Sequence, residues 1–152
     1  MCIRDREELA QRLGVGERIC WAGMLSGAHK WGAFRAADAF CLPSHQENFG
    51  IAVVEALACH CPVLVSDKVN IWREIEAGQA GLVAADTLEG TVSLLERWLA
   101  MPAPAWQDMR QAARRCFDQN FRMDQVNRNL VRIVQESQAA GLPPLEKRGA
   151  HV

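Results

Sequence analysis

Short apolar blocks alternate with amphipathic stretches along most of this chain, and each block is punctuated by glycine or proline. EELAQRLGV places Leu9 and Leu13 on one helical face and stops at Gly14. RICWAG, residues 18–23, predicts a short buried strand. AHKWGAFRAAD predicts a helix with Trp31, Phe34 and Ala37 aligned, and AFCLPS a second buried strand closed by Pro43. FGIAVVEALAC then predicts a helix, PVLVSD a third strand, IWREIEAG a short helix ending at Gly78, and GLVAAD a fourth strand. In TLEGTVSLLERWLA, residues Leu88, Val92, Leu95 and Leu99 fall on one face behind Thr87 as N-cap. Pro102 and Pro104 break the chain, two helices follow at about 105–119 and 123–139, and GLPPLEKRGAHV, residues 140–152, reads as a flexible tail.

Apolar strands separated by helices predict an α/β domain with a parallel sheet covered on both faces. Ligands of such folds bind beyond the carboxyl ends of the strands. The loops after RICWAG, AFCLPS and PVLVSD are therefore the places to look for chemistry.

Composition narrows the function classes. The chain has 152 residues, enough for one domain with a core, and a formal net charge of -1. That balance argues against nucleic-acid binding by bulk charge. No apolar run approaches the ~18 residues of a membrane span, and no secretory signal opens the chain. Six cysteines are present; four lie in or beside apolar runs, as buried free thiols do, which points to a reduced, cytoplasmic protein. The first six residues, MCIRDR, are similar to the translation of a common sequencing adapter. On that reading residues 1–6 are an artefact and the natural domain, 7–139, resumes near Glu7 from a longer protein.

The stretch SHQENFGIAVVEALACHCPV carries two glutamates, Glu47 and Glu55, with seven residues between them. Glu47, Asn48, Phe49 and Gly50 form the turn between a strand and a helix. A helix N-terminus offers unpaired N–H groups and a partial positive charge, a natural seat for phosphate. Gly50 lets backbone approach an anion closely. Glu55, about one and a half turns into the helix, can accept two hydrogen bonds from a vicinal diol such as ribose. Glu47 can take hydroxyls of another part of the ligand. The order suits a nucleotide sugar. The plainer reading stays open beside it: a glutamate before a helix caps it, and one inside an apolar helix reaches a solvent edge.

The segment FCLPSHQENFGIAVVEALACHCPVLVSD closely resembles the donor-binding region of glycosyltransferase family 4, retaining enzymes of the GT-B fold whose hallmark is Glu-x7-Glu. The likeness continues through AADAFCLPS, VNIWREI, AGLVAADT and ARRCFDQNFRMDQVNRNLVRIV, over about residues 7–137. It implies a Rossmann-like domain with C-terminal helices, one half of a GT-B fold. By this resemblance Glu47 is the catalytic-site carboxylate on hydroxyls of the transferred sugar. Asn48, Phe49, Gly50 and Ile51 line the sugar and diphosphate, Glu55 binds the ribose, and Gly23 and Met24 lie near the base. It further implies a nucleotide-sugar donor, no metal and no other cofactor, and a partner acceptor domain N-terminal to this half. Family members carry an Arg and a Lys for the diphosphate at the start of the donor domain, and neither Arg18 nor Lys30 stands in that context. The fragment alone is expected to bind donor weakly and not to catalyse transfer. Many relatives act on lipid-linked or envelope glycans, which implies work at the inner membrane surface. A nucleotide-sugar epimerase or other sugar-phosphate enzyme of the same fold, and a non-catalytic nucleotide-binding domain, are the alternatives, because fold alone does not separate them.

Other residues carry weaker signals. Cys59-His60-Cys61 is too close-set to enclose a tetrahedral ion and reads as a helix–strand junction. The family usually has Gly at the position of His60, which predicts a positive φ there and no metal. His45 reads as an exposed loop histidine, His29-Lys30-Trp31 as a helix start, and Glu74 as either a pocket or a capping residue. Arg114, Arg115, Arg122, Arg128 and Arg132 read as a solvated basic face, and Val126, Leu130, Ile133 and Val134 as an apolar stripe meant for another domain.

Overall fold

The computed structural model describes residues 3–122 together with residues 124, 132, 135 and 136. The chain divides into two compact units, Met1–Trp31 and Gly32–Val152. The tail and most of the expected helix 123–139, with its apolar stripe, lie outside the described residues.

The first unit holds helix α1, Ile3–Arg12, and a single 3-10 turn, Gly16–Arg18. Gly14 ends α1 in the left-handed conformation, φ 68°. Its N–H reaches Gln11 O and that of Val15 reaches Ala10 O, which satisfies two orphan carbonyls. Leu9 and Leu13 are exposed and Ala10 is the buried residue, so the predicted face is not the packed one. The expected strand at 18–23 is absent among the described residues: Arg18 closes the 3-10 turn, Gly23 is left-handed, and Ile19 and Trp21 are exposed. An apolar run becomes a strand only where a neighbouring strand accepts its N–H and C=O groups.

Helix α2, Gly27–Ala36, crosses from the first unit into the second. In the second unit three strands, β1 Phe40–Leu42, β2 Val63–Ser66 and β3 Gly81–Ala84, form a parallel sheet in sequence order. Phe40 pairs with Val63, and Val63 in turn with Gly81. Helix α3, Ile51–Ala58, links β1 to β2, and α4, Trp72–Ala77, links β2 to β3. Helix α5, Leu88–Leu99, packs on β2 and β3, while α6, Ala103–Asn120, packs on α3 and α4. Every residue of β2 is buried, as a central strand covered on both faces requires.

Thr87 caps α5 as predicted, accepting from Gly90 N–H at 3.0 Å. The predicted face of α5 is wrong. Leu88, Val92, Leu95 and Leu99 are exposed, and Leu94 and Trp98 are buried against Leu64 and Leu82. Trp98 stacks on Trp106, ring centroids 5.6 Å apart, and Trp106 Nε1 donates to Trp98 O. A stacked aromatic pair adds about 0.5–1.5 kcal/mol beyond its buried area, so the face bearing Trp98 goes inward.

Helices α3 and α4 end alike. After each comes a left-handed residue that is not glycine: His60, φ 60°, and Gln79, φ 51°. Cys61 N–H reaches Ala56 O and Ala80 N–H reaches Ile75 O, both at 3.0 Å, closing the same six-to-one turn. The positive φ expected of His60 is therefore present. Gly78, by contrast, is not the left-handed residue. A Cβ there would lie 3.1 Å from Cys116 Cβ and 3.0 Å from Glu74 O, so a side chain would be crowded.

Candidate functional site

The loops 43–50, 67–71 and 85–87 leave the carboxyl ends of β1, β2 and β3 and meet at one end of the sheet. Three ties hold them. Ser66 Oγ, buried at the tip of β2, donates to Ser44 O of the first loop. Glu47 pairs through its backbone with the second loop: its N–H reaches Lys68 O at 3.2 Å, and its C=O accepts from Asn70 N at 3.0 Å. His45 Nδ1 lies 2.5 Å from Asp86 Oδ1, joining the first loop to the third. Backbone fixed at both flanks leaves Glu47 little freedom.

The Glu47 side chain is held as well. Its Oε1 accepts from Gly50 N at 3.0 Å, so one carboxylate oxygen satisfies the loop at the head of α3. The other oxygen is placed by that bond, at the mouth of the helix. The capping reading of Glu47 is thus the one with an observed bond: its carboxylate caps the turn ahead of α3. Gly50 is left-handed, φ 69°, and buried; a Cβ there would meet Val53 Cγ2 at 3.1 Å and Val69 Cγ1 at 3.4 Å. Its C=O accepts from Val53 and Val54, the first bonds of α3, which leaves the N–H groups of Ile51 and Ala52 without an intrahelical partner.

Helix α3 buries Val53, Ala56 and Leu57, and that choice of face decides where Glu55 goes. Glu55 lies four residues after exposed Ile51, hence on the same stripe, and is half-buried. At 1.5 Å rise per residue it stands about 6 Å below the first free N–H. Asn48 and Phe49 are exposed at the turn, and the Phe49 ring meets Phe121 edge-on at 6.3 Å.

The second unit therefore gathers Glu47, Asn48, Phe49, Gly50, Ile51 and Glu55 around one helix end. Gly23, φ 66°, and the fully exposed Met24 belong to the first unit. Glu74 is exposed in the first turn of α4. Lys30 lies over the Trp31 ring, 4.7 Å from its centroid, as suits a helix with a packing tryptophan.

Three contributors were not picked out from the sequence: Ser66, Asp86 and Lys68. The serine ending an otherwise apolar strand, VLVS, was the one available signal for the first. Asp86 acts only through His45, a partner 41 residues away. Lys68 brings an ammonium to the same end of the sheet, 3.4 Å from Asp67 Oδ1, a buried oxygen with no hydrogen bond among the described residues.

Chemically, this end of the sheet offers helix N–H groups for an anion, one oriented carboxylate, a second carboxylate a turn below, and a lysine. Cys59 and Cys61 are buried free thiols beside the half-buried His60, and burial pushes the Cys61 thiol up to about 11. Arg114 departs from the solvated-face reading. Its guanidinium donates to Ala58 O at the end of α3 and to both oxygens of Asp118, whose carboxyl is held below its ordinary value by those bonds.

Comparison with known proteins matches this architecture. A sucrose-phosphate synthase from Thermosynechococcus elongatus superposes with a TM-score of 0.73 at 24% identity, over 90% of this chain and 34% of that one. WaaG, a glycosyltransferase involved in lipopolysaccharide biosynthesis, gives 0.65 at 27% identity, over 78% and 32%. A phosphatidyl-myo-inositol mannosyltransferase of Mycobacterium leprae is 35% identical over 114 residues, 66% of this chain and 30% of that protein. A D-inositol 3-phosphate glycosyltransferase of Gordonia bronchialis is 31% identical over 96 residues, 62% of this chain and 21% of that protein. The chain thus spans between a fifth and a third of the length of these curated relatives. No helix among the described residues is long and apolar enough to cross a membrane. The family model for group 1 glycosyl transferases matches residues 4–116, and with that coverage this chain belongs to the group 1 glycosyl transferases.

Proposed function

We propose that this chain is the donor-binding half of a retaining glycosyltransferase, which moves a hexosyl group from a nucleotide-diphosphate sugar to a glycan, lipid or small-molecule acceptor. The carrying observation is the head of α3, where Glu47 is pinned through Oε1 to Gly50 N–H and Glu55 follows a turn below on the exposed stripe. Glu47 takes hydroxyls of the transferred sugar with its remaining oxygen. The free N–H groups at Ile51 and Ala52 face the diphosphate, and Glu55 accepts from the ribose diol.

The work of this half is electrostatic. As the glycosidic bond breaks, negative charge grows on the leaving diphosphate, and donors already aimed at it lower the barrier without reorganising. The proposal needs no metal ion, because helix N–H groups and basic side chains supply the positive charge. An acceptor domain completes the site and brings the nucleophile, at an inner-membrane surface where the acceptor is lipid-linked.

The test is a nitrogen-15 NMR titration of this chain with UDP-, GDP- and ADP-sugars. One base is expected to bind saturably, with the largest shifts at residues 47–55. Saturable binding that leaves those amides unmoved, or no binding by any of the three, overturns the proposal.

A further inference from the structure

At the opposite end of the sheet, below the carboxyl terminus of α3, lies an open cleft of about 430 Å³ lined by Arg35, Cys59, His60, Gln107, Arg110 and Gln111. We propose that this cleft is a second binding site, for a small phosphate-bearing anion, remote from the head of α3.

Its lining has three cationic or protonatable side chains and two carboxamides, and no carboxylate. Arg110 is held in place: Nη1 donates to Ala37 O at 3.1 Å and Nη2 to Arg35 O at 3.5 Å. Those bonds occupy two of five guanidinium donors and cover the carbonyls ending α2 that would otherwise repel an anion. Arg114 does the same for α3 by donating to Ala58 O at 2.9 Å. Asp118, the carboxylate of α6 held low chiefly by Arg114, is occupied by two hydrogen bonds from that guanidinium. Two carboxylates lie near without lining the cleft: Asp118, already bonded to Arg114, and Asp38, which acts on Cys61 together with Arg110.

His60 supplies the second strand of the argument. It is held at φ 60°, where a non-glycine residue costs about 1–2 kcal/mol. The six-to-one turn it closes would form more cheaply with glycine. An imidazole kept at that cost, half-buried between two arginines and two glutamines, has a use in donating to an oxyanion. Phosphate chemistry fits best, since guanidinium, imidazole and carboxamide groups line one cleft and a phosphate group offers three acceptor oxygens.

The experiment is an NMR titration of the whole chain with inorganic phosphate, glycerol 3-phosphate, and phosphatidylcholine vesicles with and without phosphatidic acid, using sodium chloride as the ionic-strength control. Saturable, correlated shifts at the Arg35 and Arg110 Nε–H groups, the His60 ring and the Gln107 and Gln111 carboxamides are expected with the phosphates and not with chloride. Response to the soluble phosphates marks a small-molecule ligand; response only to phosphatidic acid vesicles marks a lipid headgroup with the same chemistry. Arg35→Glu is expected to weaken binding about tenfold or more, and His60→Gly, which suits the backbone, to weaken it without unfolding the chain. Donor-sugar binding at residues 47–55 is expected to be unchanged in both variants, which separates failure here from failure of the donor site. Unaltered phosphate affinity in both variants, or shifts no larger than those with chloride, overturns the proposal.

Discussion

Both ends of helix α3 turn on a left-handed residue, yet one is glycine and the other histidine. At the head, Gly50 is buried, and a Cβ there would press on Val53 Cγ2 at 3.1 Å. At the tail, His60 is half-buried beside an open cleft. The same backbone conformation is therefore adopted twice, but a side chain would be crowded at the head by Val53. The crowded end is where Glu47 and the free helix N–H groups must be held still. The roomy end tolerates a side chain and puts it to the edge of a basic cleft.

Gly50→Ala breaks this comparison most sharply. The left-handed penalty and the contact with Val53 add, for a loss of about 2–4 kcal/mol, read by urea denaturation. A loss under half a kcal/mol would mean the turn at the head of α3 relaxes freely.

Cys61, next to His60, comes second in size. Its thiol is raised from the ordinary 9.0 to about 11, first by burial. The folded protein then holds the proton more tightly than the unfolded chain. This stabilisation is complete below pH 9, falls as pH rises from 9 towards 11, and is gone above that, for a total on the order of 2 kcal/mol. Thermal melts across that range are expected to show the decline, and Cys61→Ala to make it shallower, leaving the part due to Cys41 and Cys116, whose thiols burial also raises. Equal slopes in the two proteins would place the titration in the other raised thiols, Cys41 and Cys116.

His60→Gly is the smallest change and the opposite in sign. Relief of the left-handed strain, partly offset by the entropy of glycine in the unfolded chain, is expected to stabilise by about 0.5–1 kcal/mol. Destabilisation would show that the imidazole contributes packing beyond its role at the cleft.

Much of this was legible in the sequence, for reasons that differ by element. Strands β1, β2 and β3 and the helices between them announced themselves through apolar blocks bounded by glycine and proline, and Thr87 through its place before α5. The left-handed His60 was legible through the family resemblance, which has Gly at that helix–strand junction. Gln79 at the equivalent junction after α4 was hidden by Gly78, which looks like the terminator and sits where a side chain would crowd Cys116. Helix α5 carries two apolar stripes, and periodicity favoured the longer, Leu88 to Leu99. The stack of Trp98 on Trp106 across a turn selected the other. The segment at 18–23 has the composition of a strand without a neighbouring strand to complete it among the described residues. At the site, the spacing of Glu47 and Glu55 was visible in the chain. The Glu47–Gly50 bond, the His45–Asp86 pair and the Ser66–Ser44 tie arise only when three separate loops meet.

The central claim is a division of labour between the two glutamates, and calorimetry on paired variants tests it most directly. Glu55→Ala is expected to weaken a nucleotide sugar and its bare nucleoside diphosphate alike, each by about tenfold. Glu47→Gln is expected to weaken the nucleotide sugar and leave the bare diphosphate untouched. If Glu55→Ala leaves both affinities unchanged, or Glu47→Gln lowers the two equally, the assignment of ribose to Glu55 and sugar to Glu47 is contradicted.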